Sequence, residues 1–185
     1  MSKKFSDLGI LAPILKSLSD LKISEPTEIQ EKTIPVILNK TDDFVGLAKT
    51  GTGKTAAFGL PLLQLIDLNN QYIQAVILVP TRELGHQIFS NMEVYATYLP
   101  EISIAATCGG IPIKPQIERL TKTTHIVIAT PGRLIDLVKR KAIDIKQVSY
   151  LILDEADEMV TSLKEGLDEI IAELPKKKRT FLFTA

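Results

Sequence analysis

The sequence predicts a three-layer α/β/α domain built on a mostly parallel open sheet, and two observations carry that prediction. Short apolar runs, almost unbroken by polar residues, recur along the chain, and helix-sized segments separate them. Strands of a parallel sheet are covered by helices on both faces, so they read as continuous Val/Ile/Leu runs rather than as an alternation. Regular exchange of strand and helix is the pattern of an open α/β sheet. With 185 residues, 45% of them hydrophobic and 24% charged, the chain suffices for one domain with a sizeable core.

In chain order, residues 1–38 come first, as an N-terminal extension with two expected helices packed on a core of residues 39–185. The expected strands are Phe44 to Ala48, Ala75 to Val79, Ile102 to Ala106, Ile126 to Ala129, Tyr150 to Leu153, and Phe181 to Phe183. Helices are expected from Thr55 to Leu68, Arg82 to Tyr98, Lys114 to Leu120, Arg133 to Lys141, and Leu163 to Leu174. Neither a repeat nor a second domain is visible. Sheets of this kind hold ligands in the crevice beyond the carboxyl ends of their strands, and the chemistry-bearing motifs all follow strand ends.

Bulk composition narrows the possible partners. Lys plus Arg number 22 and Asp plus Glu number 22, so nucleic-acid binding would need a local basic face. Cys108 is the only cysteine, which excludes an internal disulfide and a cysteine metal cluster and suits a reducing, intracellular setting. No signal-like apolar run follows Lys3 and Lys4, and the longest apolar stretches are strand-sized. The expected location is cytoplasmic, without a membrane partner.

Ala48-Lys49-Thr50-Gly51-Thr52-Gly53-Lys54-Thr55 follows the first strand and opens a helix, the setting a phosphate-binding loop requires. Gly51 and Gly53 let backbone N–H groups approach phosphate oxygens, and the helix N-terminus adds its dipole. Lys54 would reach the β and γ phosphates of ATP, and the Thr55 hydroxyl would ligate Mg²⁺. The fifth run ends in Asp154-Glu155-Ala156-Asp157. Asp154 would hold Mg²⁺ opposite Thr55, and Glu155 would orient and polarise an attacking water.

Asp154-Glu155-Ala156-Asp157 also carries a resemblance to the DEAD-box RNA helicases, and further motifs extend it across the chain. Pro80-Thr81-Arg82-Glu83-Leu84, Gly109-Gly110 and Thr130-Pro131-Gly132-Arg133 resemble that family's RNA-contacting motifs, in order and at fitting intervals. Pro26-Thr27 with Ile29-Gln30 resembles the core of its adenine-reading Q motif, with Phe5 upstream. The resemblance implies a RecA-like P-loop NTPase domain that couples ATP binding and hydrolysis to RNA binding and local duplex unwinding. It implies that Gln30 reads the adenine edge, Thr27 steadies the phosphate loop, and Phe5 packs at the adenine. Thr27 and Gln30 equally form a capping box, and Phe5 a hydrophobic staple onto Ile10.

At the RNA motifs, Thr130 reads as an N-cap with Pro131 in the first helical position. Arg82 and Arg133, with N–H groups at that helix start, would hold RNA phosphates rather than bases. Gly109 and Gly110 read as a close backbone approach or as a plain turn. Lys176-Lys177-Lys178-Arg179 reads as a solvated turn, and His86 and His125 as helix surface and strand start. Several positions depart from the family pattern: Lys22-Ile23 stand in place of Gly-Phe, Glu28 in place of proline, and Gly85 in place of alanine.

Phe183-Thr184-Ala185 resembles the start of the family's Ser/Thr-Ala-Thr coupling motif, so Asp157, Thr184 and Ala185 are expected to couple nucleotide state to the second domain. That second RecA-like domain, with its arginine fingers, is not in these residues, so a monomeric fragment with weak nucleotide binding and negligible ATPase is expected. An ATP-switched RNA clamp and a DNA-dependent motor stand as alternatives.

Overall fold

Strands β1 (Phe44–Leu47), β2 (Ala75–Leu78), β3 (Ile104–Thr107), β4 (Ile126–Ala129), β5 (Tyr150–Leu153) and β6 (Arg179–Thr184) form one sheet in the order β1-β6-β5-β2-β4-β3. Every neighbouring pair is parallel, which sharpens the expectation of a mostly parallel sheet. The computed structural model describes residues 3–110, 112–120 and 123–185; Met1 and Ser2 of the expected extension lie outside them. No described helix is long and apolar enough to cross a membrane.

Helices cover both faces of the central strands, and the alternation of side chains shows it, whereas edge strand β1 leaves Val45 and Leu47 exposed. In β2, Ala75 and Ile77 join one apolar cluster while Val76 and Leu78 join the other. The first cluster gathers Phe58, Phe181 and Phe183 beneath α1 (Ala12–Asp20), α2 (Glu28–Asn39), α3 (Lys54–Leu65) and α4 (Arg82–Tyr95). Phe5 and Leu8 of a 3₁₀ turn, with Ile14, Leu18 and Ile34, belong to this same cluster. The second cluster lies beneath α6 (Pro131–Lys139), α7 (Ala156–Ser162) and α8 (Lys164–Glu173), with Leu134, Leu137, Met159 and Ile170 at its centre. Partly buried Ile117 and Leu120 of α5 (Lys114–Leu120) pack at its margin.

Register aligns the strand ends. Leu78 pairs with both Ala129 and Leu153, Thr107 pairs with Ala129, and Leu47 pairs with Thr184. The loops after β1, β2, β3, β4 and β5 therefore leave one edge of the sheet together.

Helices α3 and α4 close at Leu65 and Tyr95, each three residues before the expected Leu68 and Tyr98, and three further expectations change. β3 begins at Ile104 rather than Ile102, because Ile102 N donates to Leu99 O at 3.0 Å in the connection between α4 and β3. The segment Ala156–Ser162 is helical where none was expected; only Ala156 and Met159 of it are buried, too few to write a helical period. Arg179 does not belong to a solvated turn. It pairs with Tyr150 as the first residue of β6, donates from Nη1 to Ile37 O at 3.0 Å, and lies 4.9 Å from the Phe181 ring centroid.

His125 at the start of β4 is buried, and its Nδ1 accepts from Ser103 N at 3.0 Å. Burial holds its pKa below the ordinary histidine value. His86 is exposed on α4, as expected.

Gly85 explains its departure from alanine by crowding. A Cβ there would sit 2.5 Å from Cys108 Sγ and 3.2 Å from Val79 Cγ2. Gly85→Ala is expected to destabilise the fold by about 1–3 kcal/mol. In urea unfolding, the loss in Gly85→Ala/Cys108→Ala should fall short of the sum of the single losses by about 1 kcal/mol; strict additivity would show that the thiol is not the obstacle.

Candidate functional site

The chain leaves β1 with Ala48 N donating to Thr184 O at 3.0 Å and turns through Gly51 at φ +79° and Gly53 at φ +93°. Thr52 Oγ1 donates to Lys49 O at 2.7 Å inside the loop. The first intrahelical bond of α3 is Ala57 N to Gly53 O at 3.1 Å. The N–H groups of Lys54, Thr55 and Ala56 thus stand at a helix start, where anions are stabilised. Gly53 is required twice over: its φ is left-handed, and a Cβ would collide with Gln30 Nε2.

Gln30 has two engagements. Its Oε1 accepts from Thr27 N at 2.9 Å, the capping bond, and its Nε2 donates to Gly53 O at 3.1 Å. Direct contact with the loop carbonyl therefore falls to Gln30, while Thr27 Oγ1 lies alongside Gly53. The cap and the loop contact are made by one buried amide, not by competing conformations.

Gln30, Phe5, Thr27, Thr50, Gly51, Gly53, Lys54 and Thr55 line one cleft of about 500 Å³ with Asp154 and Glu155. Ala48 and Thr52 face an adjoining hollow instead, with Thr27, Ile29 and Leu47. Sequence reading missed Gln87, Asn91 and Tyr95, which also line the cleft; their four-residue spacing places them on one face of α4.

At the floor, Lys54 Nζ lies 2.9 Å from Glu155 Oε1 and 3.9 Å from Asp154 Oδ1. Lys54 and Asp154 are buried, at 6% and 2% exposure. Burial pushes the Asp154 carboxyl up to about 6, Lys54 opposing and Glu155 adding to the rise. Glu155 itself has φ 53° and ψ 52°, a left-handed backbone that costs about 1–3 kcal/mol in a residue with a side chain. The chain adopts it where β5 turns sharply into α7, which directs Glu155 at Lys54.

Among the described residues, no group of three or more His, Cys, Asp or Glu could hold a metal. Asp154 and Thr55, which line the same cleft, form a donor set that suits Mg²⁺, which keeps most of its ligands as water and phosphate oxygens. The Thr184 hydroxyl beside Asp157 holds that carboxyl below the usual range. Thr184 thereby touches both the loop after β1 and the helix after β5. Ala185 follows, exposed.

A second hollow, about 550 Å³, opens beyond β2, β3 and β4 and is lined by Pro80, Arg82, Gly109, Gly110, Thr130, Pro131, Gly132 and Arg133. Thr81 caps α4, its Oγ1 accepting from Leu84 N at 3.3 Å. Thr130 occupies the N-cap position of α6 with Pro131 first in the helix, but its Oγ1 accepts from Gly109 N at 3.1 Å rather than from its own helix. Arg82 pairs with Glu83 at 3.0 Å and crowds Gly110, whose φ is +80°. One hollow thus gathers three sequence motifs, with two guanidinium groups and a helix start at its wall.

The family model described as DEAD/DEAH box helicase matches residues 27–185. The chain is 41% identical over 182 residues to the ATP-dependent RNA helicase DeaD of Mycobacterium tuberculosis, covering 98% of this chain and 32% of that protein. It is 42% identical over 184 residues to the ATP-dependent RNA helicase CshA of Listeria monocytogenes, covering 98% and 35% respectively. Among solved structures, a DEAD box protein of the hyperthermophile Methanococcus jannaschii superposes with a TM-score of 0.90 at 39% identity, over 100% of this chain and 51% of that one. A Saccharomyces cerevisiae Dbp5 variant bound to RNA and ADP BeF3 superposes with a TM-score of 0.89 at 28% identity, over 100% of this chain and 46% of that one. The chain spans about a third of the length of these curated relatives.

Proposed function

Because the chain belongs to the DEAD/DEAH box helicase family, we propose that it is the ATP-binding RecA-like unit of an ATP-dependent RNA helicase, with residues 1–38 as an extension built onto residues 39–185. The observation that carries this reading is the meeting of Lys54 with Asp154 and Glu155 at the mouth of the loop after β1. Loop and α3 N–H groups bind the ATP phosphates. Lys54 exchanges its bond to Glu155 for phosphate oxygen and so releases that carboxylate to orient a water. Asp154 and Thr55 are the residues that would hold Mg²⁺, which supplies charge neutralisation between phosphates. Phe5 and Gln30 serve the adenine, Gln30 keeping its bond to Gly53.

Lys54 is the one cation among the described residues lining the cleft. Charge developing on a transferred phosphoryl group needs more, so efficient turnover requires a second RecA-like domain from beyond these residues, reached through Asp157, Thr184 and Ala185. The 185 residues alone bind adenine nucleotide weakly and turn it over negligibly, as a monomer. RNA lies in the second hollow, its phosphates on Arg82, Arg133, the Gly109–Gly110 turn and the start of α6, with Pro80, Thr81, Thr130, Pro131 and Gly132 shaping the wall.

Steady-state ATPase of the full-length protein tests the reading. RNA should stimulate turnover, and Glu155→Gln should lower it by about 100-fold while ATP binding persists. Absence of RNA-stimulated turnover in the wild type would leave an ATP-switched clamp. Equal stimulation by DNA of the same sequence would indicate a DNA-dependent motor.

A further inference from the structure

We propose that Gln116 is a positioning residue for RNA, acting through the peptide unit that joins Cys108 to Gly109; this rests on the RNA-binding reading above. Gln116 is the fully buried side chain of α5, at 4% exposure, on a helix whose apolar residues are only partly covered. Its Nε2 donates to Cys108 O at 3.0 Å. Gly109 N, the other end of the same peptide plane, donates to Thr130 Oγ1 at 3.1 Å. One peptide plane is therefore held at both ends, from α5 and from the end of β4, immediately before the turn that enters the second hollow.

Gln116 Oε1 is buried and accepts no hydrogen bond from the described residues. Reversing the amide would set two oxygens facing each other, so the Cys108 carbonyl dictates the orientation. A buried amide that satisfies only its donor end is costly to keep, and its yield here is local order: rotation of the held plane would carry Gly110 with it. Gly110 stands against Arg82, whose Nη1 would lie 3.1 Å from a Cβ at that position. Release of the plane would therefore shift both the turn and a guanidinium group assigned to phosphate.

The test measures binding of a fluorescent oligouridylate and of a fluorescent ATP analogue to the 185-residue chain, with thermal unfolding alongside. Gln116→Met, similar in length and without a donor, should bind the RNA roughly fivefold more weakly. The slope of log affinity against log salt should become shallower by about 0.7, the share of one phosphate on a single strand. Affinity for the ATP analogue should not change. Gln116→Glu keeps the shape and keeps the test open should the Met variant fail to fold. It should lose RNA affinity at pH 8 and approach the wild type as acid supplies the proton it can donate. Wild-type RNA affinity and salt slope in both variants would overturn the role of Gln116 alone, as would a parallel loss of RNA and ATP-analogue affinity tracking the loss of stability. A wild-type chain that binds no RNA would overturn the RNA reading and this role with it.

Discussion

Lys54→Ala is expected to destabilise the fold by about 3 kcal/mol or more at pH 8 and to lower affinity for ATP at least about 100-fold. Lys54 Nζ is the cation held between two carboxylates, at 2.9 Å from Glu155 and 3.9 Å from Asp154. Removing one partner of a buried pair leaves charge without compensation, which typically costs 3–5 kcal/mol, more than the intact pair contributes. The affinity loss follows because no other cation among the described residues lines the cleft. Direction with pH separates this cause from a packing defect. Lys54 opposes the rise of the Asp154 carboxyl, so its loss raises that carboxyl further and widens the range over which a proton is retained. The penalty should therefore be smaller at pH 5 than at pH 8. Urea unfolding at both values checks it, and a loss independent of pH would sink the electrostatic account.

Asp154→Asn should act in the opposite sense, stabilising the fold while impairing the site. The carboxyl titrates at about 6 in the fold against an ordinary value of 3.8. At 1.36 kcal/mol per pH unit, the difference of 6 − 3.8 corresponds to about 3 kcal/mol. Between pH 3.8 and about 6 the folded chain retains a proton that the unfolded chain has released. Stability conferred by this group is thus fully present below that window, falls as pH rises through it, and is absent above it. Asparagine cannot ionise, so Asp154→Asn should match the wild type near pH 3.5 and exceed it by about 3 kcal/mol at pH 8. Lys54 keeps Glu155 as its partner. Urea denaturation of both proteins from pH 3.5 to 8 measures the difference directly, and common contributions from other carboxylates cancel. A variant less stable at pH 8 than at pH 5, relative to wild type, would refute the prediction. The same substitution should remove dependence of ATP binding on Mg²⁺.

The strands were legible where burial is symmetrical. β2 and β4 are buried at every position, so apolar character had no reason to alternate. β6 was legible only at its centre, because Arg179 and Thr180 start it with polar side chains; the Arg179 guanidinium donates to Ile37 O, and the Thr180 backbone N–H donates to the Asp43 carboxylate. α7 escaped because its two turns bury two side chains. Site residues at strand ends could be read because register stacks those ends along one edge. Gln87, Asn91 and Tyr95 carried a readable spacing without a chemical signature. Gln116 carried neither, since its significance lies in a carbonyl eight positions away that no side-chain pattern encodes.

In the function proposed above, Thr184 is the joint between the two edge loops. Its carbonyl receives Ala48 and its hydroxyl stands beside Asp157, so on that proposal displacement of α7 would strain the entry to the phosphate loop, and tightening of that loop would pull on α7. Linkage then runs both ways with equal strength: whatever factor a phosphate ligand adds to the preference for one placement of α7, a partner that selects that placement returns in phosphate affinity.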